Sequence, residues 1–246
     1  MNLSNFGNMA LRIAAWNLNH RVLPKNIPMG VIDVIREIAP DVLVLTEYVD
    51  GQFRAAFKTG LQDMGFFLSV SKECKGHNQV LMATRAKHSS GSVSAPDYDS
   101  HAISNFLCIR LPESALEIVG VRAPAYEKTS EVDLYWAALK DSLARAPQKR
   151  TIVIGDLNGD PNNLRSRGGR HLCDLRDSGW TLPSPVGEWS YISSDGKQKS
   201  RIDHVLATAD IEKIAARYET KIAGHTLAGE KEQMPLSDHA ALVVDL

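Results

Sequence analysis

Eight short runs of apolar, often β-branched residues punctuate the chain, at 11–16, 42–46, 80–84, 106–111, 117–122, 151–154, 202–207 and 240–246. Each is bounded by Pro, Gly, Asn, Asp or Ser, the signature of a β-strand. Three other segments carry apolar residues at helical spacing. Over 28–38, Val31, Ile32, Ile35 and Ile38 share one face, and Pro40 marks the stop. Over 52–64, Phe53, Ala56, Phe57, Leu61 and Met64 do the same, with Gly65 behind them. Over 130–146, Ser130-x-x-Asp133 predicts an N-cap, and Val132, Tyr135, Trp136, Leu139 and Leu143 stack before Pro147. Loops fall at 89–100 and 183–199, and no repeat of solenoid period is present. The pattern predicts one α/β (α+β) domain over residues 1–246, with two packed mixed sheets flanked by helices and residues 1–10 as a flexible extension.

Composition changes this picture little. The chain has 246 residues, 43% hydrophobic and 23% charged, which is ordinary globular usage. A chain of this length buries roughly 70–75% of its unfolded surface and needs no disulfide staples. Charge is more informative: 28 Lys and Arg stand against 29 Asp and Glu, a net charge of −1. Global attraction to polyanions is thereby excluded, though a local basic cleft is not. The three cysteines, Cys74, Cys108 and Cys173, form neither a disulfide framework nor a zinc pattern, and predict free thiols in a reducing compartment. Residues 1–8 lack the basic and apolar regions of a signal peptide. No apolar run approaches the ~18 residues of a membrane span, so a cytoplasmic protein is expected.

Five of the predicted strands end in polar residues. These are Trp16-Asn17-Leu18-Asn19, Thr46-Glu47-Tyr48, Gly155-Asp156-Leu157-Asn158, Arg201-Ile202-Asp203-His204 and Ser237-Asp238-His239. Singly, each has a bland reading: Asp-x-Asn is a common turn, Glu47 a solvated strand end, His239 a satisfied histidine. Asp203 stands apart, because a carboxylate inside an apolar strand needs a partner. Together, four carboxylates, two amides and a histidine suit a hard divalent metal and phosphate chemistry.

In this order and spacing, the motifs resemble the endonuclease/exonuclease/phosphatase (DNase I-like) superfamily, from about Leu11 to Leu246. The resemblance implies a four-layer α/β/β/α sandwich and a Mg²⁺-dependent phosphoesterase, with Mn²⁺ as an alternative ion. It implies metal binding by Glu47, Asn17 and Asp238, with Asn17 also contacting phosphate. Asp156 would activate or orient the attacking water, and Asn158 would hold a non-bridging oxygen. Asp203 and His239 would act as an acid–histidine pair whose imidazolium stabilises charge on the phosphorane.

The chain also departs from the family pattern. Arg122 stands where Tyr or His is common, and binds phosphate oxygens well as a guanidinium, while its bland reading is an exposed strand-end charge. Ala125 and Ser200 replace the Asn and the aromatic residue of abasic-site enzymes, which argues against that specialism. Asn19 replaces an Asp of some members. Trp189 and Tyr191 lie in the loop where relatives touch substrate, and either stack a base or pack. Lys197, Lys199, Arg201, Arg165, Arg167 and Arg170 form either a basic rim or a set of solvated charges. The expected activity is hydrolysis of DNA phosphodiester bonds. The alternative is a phosphatase or phosphodiesterase acting on a phosphorylated small molecule or lipid head group, such as an inositol phosphate or nucleotide. A catalytically silent binding protein on the same fold ranks last, since such a chain has no need to keep Glu47, Asp156, Asn158, Asp203 and His239.

Overall fold

The computed structural model describes residues 11–19, 26–145, 150–163 and 165–246. The extension expected over residues 1–10 lies outside these. In chain order the elements are β1 (Arg12–Asn17), α1 (Met29–Ile38), β2 (Val42–Tyr48), α2 (Ala55–Asp63, led in by a 3₁₀ turn at Gln52–Arg54), β3 (Phe67–Val70), β4 (Gln79–Thr84) and β5 (Ser89–Ser90). Then come α3 (Ser100–Ser104), β6 (Phe106–Leu111), β7 (Leu116–Arg122), α4 (Thr129–Arg145), β8 (Thr151–Asp156), α5 (Arg167–Asp177), β9 (Tyr191–Ile192) and β10 (Lys199–Ser200). Last are β11 (Asp203–Ala207), β12 (Ala215–Glu219), β13 (Lys221–Ile222), β14 (His225–Thr226) and β15 (Ala241–Asp245).

Two mixed sheets carry the fold, one in the order β12-β15-β1-β2-β4-β3 and the other β11-β8-β7-β6-β5. The pairs β1–β2 and β7–β8 are parallel and the remaining pairs in both sheets antiparallel. The middle stretches of the central strands are apolar because each feeds two cores. Successive side chains of a strand point to opposite faces. Ile13, Val42, Val44, Val80 and Met82 accordingly meet Ile118, Ile152, Ile154 and Val205 between the sheets. The alternate residues Ala14, Trp16, Leu43, Leu45 and Leu81 pack under α1 and α2 residues such as Ile35 and Leu61. On the far side, Val119, Val121 and Val153 pack against Tyr135, Trp136, Leu139 and Leu172 of α4 and α5. Three cores between four layers give the expected α/β/β/α sandwich. Each fully buried aliphatic side chain contributes ~1.5–3 kcal/mol, so the inner strands cannot slip register without exposing one core.

All eight predicted strands and three predicted helices form. Four corrections follow. The helix predicted from Ser130 opens at Thr129, so Ser130 is inside it rather than at its cap, and Asp133 bonds Arg167 and His171 instead. The predicted 52–64 helix begins as a 3₁₀ turn. Edge strands β3 and β12 form in segments for which the sequence pattern predicts no element. So does α5, capped by Ser166, whose hydroxyl accepts from Gly169 N.

Candidate active site

The ends of six strands meet over one cleft of about 350 Å³, lined by Asn19, Glu47, Arg122, Asp156, Asn158, Tyr191, Gln198, Ser200, Ile202, Asp238 and His239. Sheet order arranges the polar residues in two rows. From the first sheet come His239 (before β15), Asn17 (β1) and Glu47 (β2). From the second come Asp203 (β11), Asp156 (β8) and Arg122 (β7), which register pairs directly: Asp203 opposite Asp156, and Arg122 opposite Asp156. At one end of the rows His239 Nδ1–H donates to Asp203 Oδ2 at 2.8 Å. At the other end Arg122 Nη2 lies 2.9 Å from Glu47 Oε1. Asp156 sits between them.

Local backbone aims these groups. Register between β2 and β4 shifts between Leu45 and Tyr48, and Glu47 takes φ 52° there. A left-handed conformation at a non-glycine residue costs of order 1–2 kcal/mol, so the bulge turns this carboxylate into the cleft against its backbone preference. Before Asp156, Gly155 has φ 143°, and a Cβ there would stand 2.1 Å from Val121 O. Only glycine permits β7 and β8 to approach this closely ahead of the carboxylate. Asp156 is then fixed by Asn17 Nδ2, which donates to Oδ2 at 2.9 Å, and by Asn158 N, which donates to Oδ1 at 3.1 Å. His239 is equally held: its carbonyl accepts from Trp16 Nε1 at 2.8 Å, and its N–H donates to Ser237 Oγ at 3.1 Å. Asp203 N donates to Ser190 Oγ at 3.0 Å, and Asp203 O accepts from Tyr218 OH at 2.8 Å.

Burial dominates the electrostatics. Asp156 is 2% exposed. Desolvation pushes its pKa up to about 6, with Asp203 and Glu47 adding repulsion while His239 and Arg122 oppose it. Burial likewise raises Asp238. His239 goes the other way: burial favours the neutral ring, but the charge and hydrogen bond of Asp203 outweigh it and hold the pKa at about 9. At neutral pH His239 is therefore an imidazolium, and with Nδ1 bound to Asp203 its Nε2–H is the donor left to a ligand.

The sequence-predicted residues distribute unevenly over these tasks. Glu47, Asp156, Asn158, Asp238 and His239 line the cleft, with Asp203 directly behind His239. Asn17 is buried, its amide taken up by Asp156 and its Oδ1 by Asn19 N at 2.8 Å, so it orients Asp156. Asn158 Nδ2 donates to Ala123 O at 2.6 Å. Arg122 corrects the exposed strand-end reading: it is 9% exposed, with its Nε 3.6 Å from Asp156 Oδ2 and without a hydrogen-bond partner. Trp189 packs against the inter-sheet core beneath Lys199 and does not line the cleft. Its neighbour Tyr191 does, edge-on to His239 at 5.2 Å between centroids. Half of the basic rim is committed elsewhere. Arg201 bonds Gly187 O, Ser184 Oγ and Pro185 O, Arg167 pairs with Asp133, and Lys197 pairs with Asp195. Sequence reasoning missed Ser190 and Tyr218 as supports of Asp203; no local pattern marks them. Trp16 and Ser237, by contrast, belong to motifs already singled out.

The sequence profile of the endonuclease/exonuclease/phosphatase family matches residues 14–239. This chain belongs to that family. As a member it is a phosphoesterase in the broad sense, and its fold is DNase I-like. No curated protein matches it significantly in sequence. Among solved structures, an AP endonuclease from Archaeoglobus fulgidus is similar at 19% identity and TM-score 0.72, over 95% of this chain and 98% of that one. A 3′-5′ exonuclease from Neisseria meningitidis is similar at 22% identity and TM-score 0.69, over the same shares of the two chains. A Neisseria 3′ phosphatase bound to a product DNA hairpin gives 20% identity and TM-score 0.68, also over 95% and 98%. At these identities the likeness is one of fold.

Members of the family typically depend on a divalent metal, and the cleft fits one chemically. Four carboxylates, Glu47, Asp156, Asp203 and Asp238, face two cations, Arg122 and His239, so negative groups outnumber positive ones. The donors are hard oxygens, as Mg²⁺ and Mn²⁺ prefer. Among the described residues no three His, Cys, Asp or Glu side chains are gathered closely enough to ligate one ion as they stand. Glu47 and Asp238, with a carbonyl or water oxygen, are the residues that would hold it.

Proposed function

We propose that this protein is a Mg²⁺- or Mn²⁺-dependent nuclease that hydrolyses DNA phosphodiester bonds by in-line attack of water. One observation carries the reading. A buried carboxylate of raised pKa, Asp156, is fixed by two amide groups between an Asp203–His239 pair and Arg122 on the floor of an open cleft. A carboxylate whose pKa lies near neutrality is suited to take a proton from an attacking water. Across the cleft, the His239 imidazolium offers Nε2–H to an oxygen that gains negative charge, and Asp203 keeps that proton in place. Arg122, lining the cleft beside Glu47 and Asp156, offers a second cation to a phosphate oxygen. A divalent ion held by Glu47 and Asp238 would polarise the phosphoryl group.

Cleft shape favours a polymer. At Asn19 and Asp238 the cleft joins a second groove of about 420 Å³, lined also by Ser194, Lys231, Met234 and Pro235. A chain laid through the first cavity can continue into the second, whereas a compact head group fills only one. The reading of a small phosphorylated substrate is supported by the internal pairing of Arg201 and Arg167, which leaves less free positive charge for a long duplex. Incubation with Mg²⁺ and plasmid, single-stranded DNA, RNA, inositol phosphates and nucleotides separates the two. DNA cleavage is expected; release of phosphate from the small molecules with intact DNA would favour the second reading.

A further inference from the structure

Beside the Arg122–Glu47 end of the cleft stands a group of aromatic rings that the hydrolytic machinery does not use. His77, from the β3–β4 loop, stacks on His101 of α3, with ring centroids 4.9 Å apart and planes at 22°. Tyr126, just beyond β7, packs edge-on against His101 at 6.0 Å and against Tyr98 at 5.7 Å. Three chain segments thus bring four rings together, and each ring is only half-buried. The group is braced from below: Tyr126 OH donates to Asp99 Oδ2 at 2.7 Å, and Asp99 caps α3 through Ala102 N. It is tied to the cleft, because Asn105, which ends α3, accepts from Arg122 N through its carbonyl at 3.0 Å. The Arg122 and Glu47 charges both reach the His101 imidazole.

Aromatic rings of a core are normally buried, and rings that recognise phosphate are accompanied by free cations. Here Tyr98 and Tyr126 pack against the core of α4 and its sheet, while His77 and His101 stand half-exposed beside them. Burial, Arg122 and His77 hold His101 at a pKa of about 4, so it is a neutral π-surface at physiological pH. Braced, partly open rings next to a phosphate-binding guanidinium suit a flat, uncharged group attached to that phosphate. We infer that His77 and His101, backed by Tyr126, form a stacking platform for the nucleobase adjoining the scissile phosphate. This rests on the proposed nuclease reading and narrows it to substrates that present an unstacked base at that position, as single strands and strand ends do.

The test uses the full chain and short single-stranded oligonucleotides carrying 2-aminopurine on either side of the central phosphate, with base-free counterparts. For the base-containing oligonucleotide, KM in wild type is expected about tenfold below that in His101→Ala, with kcat changed less than about twofold. His101→Phe restores a ring and should restore KM; His77→Ala should act in the same direction. On the base-free oligonucleotide wild type and His101→Ala should coincide. Equal losses on both oligonucleotides, or a His101→Phe variant as impaired as His101→Ala while both melt like wild type, would overturn the platform. If no DNA is hydrolysed, the nuclease reading fails. The platform is then read by quenching of 2-aminopurine fluorescence on binding, expected in wild type and lost in His101→Ala; absence of quenching in wild type overturns it.

Discussion

Replacing Asp203 by Asn removes a charge while keeping an oxygen that can accept the His239 Nδ1–H. Both residues are buried, Asp203 at 1% and His239 at 5% exposure, so solvent does little to screen the pair. Asp203 is the main influence holding His239 at about 9, against an opposing effect of burial. Without that carboxylate the histidine should titrate at or below its ordinary value near 6.5. A fall of this size corresponds to about 3 kcal/mol. At pH 8 it takes the imidazolium from roughly nine-tenths of molecules to a few per cent, a loss of about thirtyfold in any rate needing that proton. The pH–rate profile at one saturating Mg²⁺ concentration reads this directly: the alkaline limb of wild type lies near 9, and that of Asp203→Asn moves towards 6. Stability should follow the same group. Below about 6.5 the histidine is charged in both folded and unfolded chains, and pairing stabilises the fold in full. The contribution fades as pH rises through 9. Wild type should therefore lose Tm over that interval more steeply than Asp203→Asn. His239→Ala and the double variant complete the cycle, with single losses of ~10²–10³-fold and the double close to the worse single. An unmoved alkaline limb with multiplicative losses would refute the coupling.

Other expectations concern Arg122, the metal and substrate choice. Arg122→Ala removes the cation beside two buried carboxylates, Glu47 and Asp156, so denaturant unfolding should show a loss of about 3 kcal/mol besides lost activity; unchanged stability would contradict an ion pair between them. Arg122→Lys should keep part of the stability and less of the rate, since an ammonium cannot reproduce the fork, and equal kinetics for Lys and Arg would contradict this. EDTA should abolish activity and Mg²⁺ or Mn²⁺ restore it, with Glu47→Gln costing roughly 10²–10⁴-fold; full activity of Glu47→Gln in trace metal would remove Glu47 from the metal site. Ala125 and Ser200 lack the side chains of abasic-site enzymes, so abasic duplex should be cut only a few-fold faster than intact duplex, and a thousandfold preference would contradict that reading.

The fold was legible where burial is two-sided. Strands β2, β4 and β7 serve two cores each, so they read as unbroken apolar runs whatever the tertiary context. Edge strand β12 was not legible, because Arg217 and Glu219 on it pair with each other, and Arg217 with Asp245 of β15, so charged residues break up any apolar run there. Helix α5 was hidden by its own glycines. A Cβ on Gly169 would lie 2.0 Å from Asp160 O, so the close approach that seats this helix behind the Asp156–Asn158 turn requires a residue that weakens a helix prediction. Within the site, motifs named the groups that touch the cleft, but not their partners. That Arg122 is buried depends on Glu47 from the opposite sheet, and two basic loop residues are engaged by groups distant in sequence, Arg201 by the carbonyls of Gly187 and Pro185 and Arg167 by Asp133. Chemistry is local to a strand end; its electrostatics are not.

Single-turnover cleavage of an end-labelled DNA oligonucleotide by wild type and Asp156→Asn, at saturating Mg²⁺ and with binding followed in parallel, tests the central claim most directly. The site geometry predicts Mg²⁺-dependent cleavage by wild type and a rate at least ~10³-fold lower in Asp156→Asn, with oligonucleotide affinity retained. Cleavage by Asp156→Asn at the wild-type rate, or a wild-type chain that binds the oligonucleotide and leaves every phosphodiester intact, would contradict it.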